Sequence, residues 1–512
     1  MRSRPLGAWV VLGGLALALP AVRKAEPSDD PRAPSAELPA PGSPAPVQEP
    51  VPEAEAPDRI LDDAVGPAAG APTVGLGEAV AMALQGNYGL LQASDSLSSS
   101  RYRYSAALAQ FYPKLTPSYQ RSAENATMNV EARQLVPWTG GSVSASANYR
   151  SVPGLATPLS RNTALNVTVS QPLLRGFGPN ASLYDLRNSR RDRQGRERGF
   201  ELERQRLAVD VARAFYQVLE QRTLLAVARQ SLARTNSLVR ASEARLEVGL
   251  VSKLDVFRAQ LQSSQAQESM VRAEAALQDA LERFRFLLGH EPSEPLEPAS
   301  VALSSDLPPD PLPPLPVLVE QARSARLDLE ETRDQVDDAR RTASLSKQNL
   351  LPQLDLNLGF THEGWGPSFS SAWNAADQRV SVYFSASYPI ERSADLTNKA
   401  LSDLALTSSQ RSLRQRQLEI ETEVRAAVRD LDQIRKSVEL QKQGVEVAHQ
   451  QLRLATLRYQ RGLASNFDVV DAEGSLVVAR SALVGLLTSY QVARVDLMRV
   501  TGTLDLEQVA AP

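Results

Sequence analysis

Along two stretches of this chain apolar residues return every seven positions, at Val211, Val218, Leu225, Leu232 and Val239 and again at Val424, Leu431, Val438, Val445 and Leu452. Seams sustained over several heptads predict long helices packed as coiled coils. Elsewhere the period drops to two. Leu354-Asp-Leu-Asn-Leu-Gly-Phe360, Val380-Ser-Val-Tyr-Phe-Ser-Ala-Ser-Tyr388 and Leu165-Asn-Val-Thr-Val-Ser170 alternate apolar with polar residues, which predicts strands with one apolar face. The pattern places long helices over 180–248 and 393–461 and shorter ones over 74–110, 252–288, 315–350 and 465–501. Strand pairs fall within 114–172 and 353–389, with Pro113, Pro172, Pro352 and Pro389 marking the helix–strand borders.

The two halves are copies of one plan. Arg245-Leu-Glu-Val-Gly249-Leu-Val-Ser252-Lys-Leu-Asp255 is matched by Arg458-Tyr-Gln-Arg-Gly462-Leu-Ala-Ser465-Asn-Phe-Asp468, each joining a long helix to a short one. Leu288-Gly289 matches Thr501-Gly502, and Ala83 matches Ala322. The chain is thus a tandem duplication, with a first repeat over 74–290 and a second over 315–505. Gly249 and Gly462 suit the left-handed residue that ends a helix. Ser252 and Ser465, each with an acid three positions on, suit the start of the next. Turn chemistry alone accounts for these residues, and a contact surface at the same turns is compatible with it.

Lengths extend the argument. Each long helix spans roughly 100 Å at about 1.5 Å per residue, and each short one roughly half of that. Two short helices stacked end to end therefore match one long helix. The Pro-rich connector over 291–314 falls where one short helix ends and its stacking partner begins, so a belt of irregular chain should surround the middle of the helical body. The strands lie at the end opposite the Gly-Ser turns, and the loop carrying Trp365, Phe369 and Trp373 has aromatics suited to a membrane interface. Two hairpins per chain, four strands, are too few to close a membrane barrel, and an open edge in lipid leaves backbone groups unpaired. Several copies must close it together. Residues Thr127 to Tyr149 have no counterpart in the second half and read as an additional hairpin or loop without a place in the scheme.

Composition narrows the classes. Arg2 and Arg4 precede the apolar run Leu6 to Leu19 and the small residues around Pro20-Ala21, the pattern of a secretory signal peptide over 1–21. Residues 22–73 are rich in Pro, Ala and acids and read as a disordered extension. No later segment offers an uninterrupted apolar stretch of spanning length. The absence of cysteine removes disulfides, thiolate sites and Cys nucleophiles, and the three histidines, His290, His362 and His449, show no metal-ligand spacing. No cofactor or metal is expected, no constellation suggests an enzyme, and a net charge of −3 gives no reason to expect nucleic acid.

Taken together, the paired Gly-Leu-x-Ser turns, the Phe111-Tyr-Pro-Lys-Leu115 and Gln171-Pro-Leu-Leu-Arg-Gly-Phe-Gly178 borders and the Leu287-Leu-Gly289 helix end resemble the TolC-type outer membrane efflux protein family. The resemblance covers 74 to about 505. It implies a mainly α chain of long antiparallel hairpins forming an α-barrel, with four membrane strands per chain in a trimeric twelve-stranded β-barrel of a Gram-negative outer membrane. It also implies a function: passive conduction of substrates delivered by an inner-membrane transporter and a periplasmic adaptor, in efflux or type I secretion. The adaptor would dock on Val248, Gly249, Leu250 and Ser252 and on Gly462, Leu463 and Ser465. By the same resemblance Asp468 and Asp471 match an acidic constriction, and Tyr459 and Asp255 match positions that hold the closed tip by an interhelical hydrogen bond. Read alone, the two carboxylates are a solvated pair repelling by a few tenths of a kcal/mol, partly offset by the helix dipole. Ala464 departs from the pattern, which has a basic residue there, so a second gate link should be missing. A periplasmic coiled-coil adaptor or structural protein is the rival class, disfavoured because its hairpin is not duplicated. Drugs, metals and proteins remain open as cargo.

Overall fold

The computed structural model describes residues 72–122, 125–152, 160–301, 307 and 312–505. The expected signal peptide, nearly all of the expected extension and part of the connector lie outside the described residues. The first repeat contains α1 (Leu76–Gly86), α2 (Tyr88–Ala109), the single turn α3 (Pro179–Ser182), α4 (Tyr184–Glu247) and α5 (Lys253–Leu288). The second contains α6 (Leu315–Ala325), α7 (Leu327–Gln348), the short α8 (Phe369–Asn374), α9 (Ser393–Gln460) and α10 (Asn466–Thr501).

The expected helices over 74–110 and 315–350 are each broken in two. At the first break the Asn87 side chain accepts from the Leu90 N–H at 3.1 Å and donates to the Leu287 carbonyl at 2.9 Å, so one residue starts α2 and fastens it to the end of α5. Periodicity cannot show such a break, because the apolar face continues across it. The break brings two helix ends together: a Cβ on Gly289 would lie 2.2 Å from the Gly86 carbonyl oxygen, and Gly289 itself has φ +83°. Only glycine fits there. The second repeat repeats the junction with more room, since a Cβ on Gly502 would stand 3.0 Å from the Ala325 side chain.

Carbon packing holds each hairpin. On α4, Leu207, Val211, Phe215 and Val218 pack in one buried cluster with Ala280, Leu281, Phe284 and Leu288 of α5. On α9, Val438, Val445 and Leu452 pack with Val469, Leu476, Leu483 and Val484 of α10. Of the predicted heptad positions, Leu232 and Val239 are only half-buried, whereas all five in the second half are buried. Although polar residues such as Arg480, Thr488 and Ser489 interrupt its apolar run, α10 contains an 18-residue window of mean hydropathy 1.4, apolar enough to span a membrane by composition. Its partners account for part of this, because α10 buries Leu476, Leu483 and Leu487 in the cluster it shares with α9.

The strands are β1 (Thr73–Val74), β2 (Lys114–Arg121), β3 (Ala126–Leu135), β4 (Ser142–Val152), β5 (Ser160–Pro172), β6 (Glu297–Pro298), β7 (Gln353–Gly366) and β8 (Asp377–Ser387). β1 and β6 form a short parallel pair that joins the chain just before α1 to the connector, pinned to α4 by buried Arg222, which reaches Glu297 at 2.8 Å. The other six make one antiparallel sheet in the order β2-β3-β4-β5-β7-β8. The expected four strands are therefore six, because the unmatched stretch from Thr127 to Tyr149 forms β3 and most of β4, a full hairpin inside the sheet. Its Ser/Ala-rich alternation is too weak in hydrophobicity to stand out in the sequence.

Registers put apolar side chains on one face of all six strands. Tyr119, Met128, Tyr149, Thr163 and Gly364 lie in one row, and Pro117, Val130, Ala147, Leu165, His362 and Gln378 in the next row of that face. Leu354, Leu356, Leu358 and Phe360 continue it along β7, and Val380, Val382 and Phe384 along β8. The opposite face carries Glu131, Ser146, Asn166, Thr361 and Arg379. Helix α8 lies over the apolar face at the strand ends far from the helices, with His362 and Trp373 rings 4.3 Å apart and Phe369 beside Tyr149 at 5.9 Å. Trp365 falls on the polar face, unlike the other two expected interface aromatics.

Candidate functional site

Both helix tips close in the way their sequences require. At the first, Gly249 has φ +73°, and Gly249 and Leu250 donate to the Leu246 and Arg245 carbonyls at 2.9 Å each. At the second, Gly462 has φ +71°, and Leu463 donates to the Arg458 carbonyl at 2.8 Å. These are left-handed helix caps. Ser252 and Ser465 then start the return helices: their N–H groups donate to the Asp255 and Asp468 carboxylates at 3.2 and 2.8 Å. Nothing lies within 4 Å of where a Cβ would stand on either glycine, so both backbones are open to an approaching partner. Around them Val248, Leu250, Leu254 and Phe257 at the first tip and Leu463 and Phe467 at the second are all more than half exposed.

Polar links join the two tips. The Tyr459 hydroxyl is 3.1 Å from the Ser242 hydroxyl of α4, and Arg245 donates to the Tyr459 and Gln460 carbonyls at 2.7 and 3.2 Å while its guanidinium sits 4.2 Å over the Tyr459 ring. Buried Asn466 donates to the Asp255 carbonyl at 2.9 Å. Tyr459 and Asp255 are therefore not joined side chain to side chain; Asp255 is occupied as its own helix's cap, which is the stronger local demand on a carboxylate at that position. Arg245 also changes the expectation drawn from Ala464: a cation does bridge the tips, from α4 to the carbonyl end of α9, where the helix dipole favours it. Further up the same seam Arg234 meets buried Glu473 at 2.9 Å, and Arg480 donates to Gln230 at 2.9 Å. Asp468 and Asp471 are both exposed; Asp468 serves its cap, while Asp471 makes no hydrogen bond or ion pair among the described residues.

Two duplicated hairpins ending in open turns, attached to a sheet with one apolar and one polar face, are features of a membrane tunnel rather than a catalyst. The family model described as outer membrane efflux protein matches residues 79–290 and 318–503, one block in each repeat. The chain belongs to this family. As an outer membrane efflux protein it is a channel of the Gram-negative outer membrane and not an enzyme. TolC of Vibrio cholerae is 26% identical over 313 residues, 60% of this chain and 69% of that protein. TolC of Escherichia coli is 23% identical over 322 residues, 61% of this chain and 64% of that protein. Among solved structures, VceC of Vibrio cholerae shares the fold with a TM-score of 0.65 at 16% identity, covering 83% of this chain and 96% of VceC. CusC does so with a TM-score of 0.64 at 19% identity, covering 84% and 93%.

Near its sheet end the efflux protein is held by charge. Arg198 of α4 reaches Glu331 at 2.6 Å and Asp334 at 2.7 Å on α7, and Arg191 reaches Asp334 at 2.8 Å. Within the second repeat Asp328, at the start of α7, accepts from Arg326 at 2.7 Å and from Arg416 of α9 at 2.6 Å. Burial alone would raise the Asp328 carboxyl, yet these two guanidiniums outweigh it and hold the group down to about 2. Arg222, by contrast, is pushed down by burial, which its contact with Glu297 only partly offsets.

Proposed function

We propose that three copies of this chain form one tunnel through the outer membrane and periplasm, conducting substrates passively from an inner-membrane transporter. A periplasmic adaptor docks on Val248, Gly249, Leu250 and Ser252 of the first tip and on Gly462, Leu463 and Ser465 of the second. Docking pulls the tips apart at the links from Tyr459 to Ser242 and from Asn466 to Asp255, and Asp471, with Asp468 above the cap, lines the narrowest point. Drugs, metals or proteins are all compatible as cargo, since a tunnel of this kind need not recognise its cargo closely.

The observation that carries this reading is the sheet: six antiparallel strands, apolar on one face and polar on the other, with β2 and β8 left unpaired at its edges. In lipid such edges cost several kcal/mol for each unsatisfied backbone group, so copies must close on one another. Gentle detergent extraction followed by mass determination should return trimers from the outer membrane. Cysteines placed at 249 or 462 should crosslink in cells to the helical hairpin of an adaptor. Monomers, or a protein recovered with soluble periplasmic content, would end the proposal.

A further inference from the structure

We infer that the membrane wall built by this chain has eighteen strands rather than twelve, and that each seam joins β2 of one copy to β8 of the next. The inference rests on the trimeric channel reading and adds to it the identity of the joining edges.

Three observations carry it. First, β3 and β4 occupy the middle of the sheet, hydrogen-bonded on both sides, so the additional hairpin is part of the wall and not a plug beside it. Second, β3 and β4 keep the same facing as the rest: Val130 and Ala147 share the apolar row, while Glu131 and Ser146 share the polar one. A hairpin folded into the lumen would have no reason to keep one apolar face in register with its neighbours. Third, the two free edges are complementary. With six strands alternating in direction, β2 and β8 run oppositely, so β8 of one copy meets β2 of another as an antiparallel pair. Both strands are exposed along their whole length in the single chain.

Three copies of a six-stranded sheet make eighteen strands. Since barrel diameter grows roughly linearly with strand number, the membrane section would be about one and a half times as wide as a twelve-stranded one. The β section then cannot be what limits the size of cargo, and that task falls to the helix tips. A twelve-stranded wall would require either β2 and β3 to peel away and β4, which runs parallel to β2, to take over the seam with β8, or β3 and β4 to leave and β2 to pair with β5, in which case a β2–β3 disulfide fails to form.

Disulfide pairing separates the two seams, and the chain has no cysteine of its own to interfere. One set of double variants combines L115C, P117C or Y119C on β2 with V380C, V382C or F384C on β8. A second set replaces the β2 positions with V143C, A145C or A147C on β4. P117C with V130C, directly opposed across β2 and β3 within one chain, reports that the sheet has formed. In the proposed wall β4 stands three strand spacings from the neighbour's β8, roughly 14 Å, beyond the reach of about 7 Å for a disulfide. The expected result is disulfide-linked dimers and trimers from the β2 set and none from the β4 set. Linkage from the β4 set alone overturns the eighteen-stranded wall and leaves the trimeric channel standing. Linkage from neither set overturns the seam as well, and the mass of the gently extracted particle then shows whether the trimer falls with it.

Discussion

Within each tip hairpin the long and short helices meet along hydrocarbon, whereas between repeats α4 meets its partners through nitrogen and oxygen as well as carbon. The α4–α5 hairpin is closed by Phe215, Val218, Leu281 and Phe284, and the α9–α10 hairpin by Val445, Leu452, Leu476 and Leu483. Across the repeats stand Arg198 with Glu331 and Asp334, Arg234 with Glu473, Arg480 with Gln230, and Ser242 with Tyr459, with Tyr216, Leu224 and Leu238 as the apolar contribution. Apolar burial is lost in proportion to area when a seam opens, while polar partners can pass to water at a net cost of about 1 kcal/mol each. The hairpins are therefore built to stay whole while the contacts between them part, which is what a tunnel with an opening end requires.

The sharpest break in that comparison comes from the hydrocarbon side. Phe284 is fully buried and meets Phe215 edge-on at 6.2 Å between ring centroids. Phe284→Ala should cost about 3–5 kcal/mol, read as a lower melting temperature by circular dichroism in detergent. An unchanged melt would mean that the hairpin is not held by its core.

Next in size is the deepest polar link. Glu473 is buried and faces Arg234, itself mostly covered, with side-chain exposures of 5% and 19%. Glu473→Ala leaves a covered guanidinium without its carboxylate, and breaking such a pair costs about 3 kcal/mol when fully buried, less here because Arg234 retains some water. Single-channel conductance should rise as the tips separate, while the melt of the hairpins moves less than in Phe284→Ala. The double variant Arg234→Met with Glu473→Leu replaces the pair by carbon and should recover stability yet resist opening. If it opens as readily as the wild type, polar character at this seam is not what permits opening.

How much of this was readable beforehand follows the same division. Heptads announce themselves by repetition, so both hairpins and their turns could be drawn from the sequence. Contacts between repeats have no period, because they depend on how two distant helices cross, and Arg245, Ser242 and Asn466 therefore went unassigned. A signal did exist. Thr235 and Ser242 are buried on α4 at positions where the second copy has Ala448 and Ala455, and a buried hydroxyl in one copy opposite alanine in the other marks a seam with a different partner. The inserted hairpin was legible only as a hairpin or loop: the missing counterpart in the second repeat marked the stretch, but gave no pairing for it, and Ser and Ala only faintly mark an apolar face.

A smaller effect tests charge inside one repeat. The Asp328 carboxyl is held at about 2 against an ordinary 3.8, so the network with Arg326 and Arg416 contributes stability above the ordinary value and loses it as pH falls from there toward 2. Between neutral pH and about 4 the contact of α7 with α9 should be insensitive to acid, then loosen. Hydrogen exchange at the start of α7 would follow it, and Asp328→Asn should abolish the acid step. An acid step that survives the substitution would assign it to another group.

The last effect is expected in selectivity and hardly at all in stability, and it separates two carboxylates that the sequence presents as a pair. Asp468 is committed to the Ser465 N–H at 2.8 Å and the Ser465 hydroxyl at 3.1 Å, so its charge is partly spent in starting α10. Asp471, one turn further along and exposed, has no such duty. If an acidic ring sets ion preference at the tip, Asp471 should be its main source. Asp471→Asn should leave the melt within about 0.5 kcal/mol of wild type, as for an exposed position, and move the reversal potential in a salt gradient toward zero. Asp468→Asn should instead change stability slightly, since an amide oxygen can still accept the cap bond, and change selectivity less. Raising the salt should erode the wild-type preference, because fields from exposed carboxylates are screened beyond about 10 Å at 0.1 M. Equal effects of the two substitutions on reversal potential would mean that capping does not withdraw Asp468 from the ring, and no effect from either would remove the ring altogether.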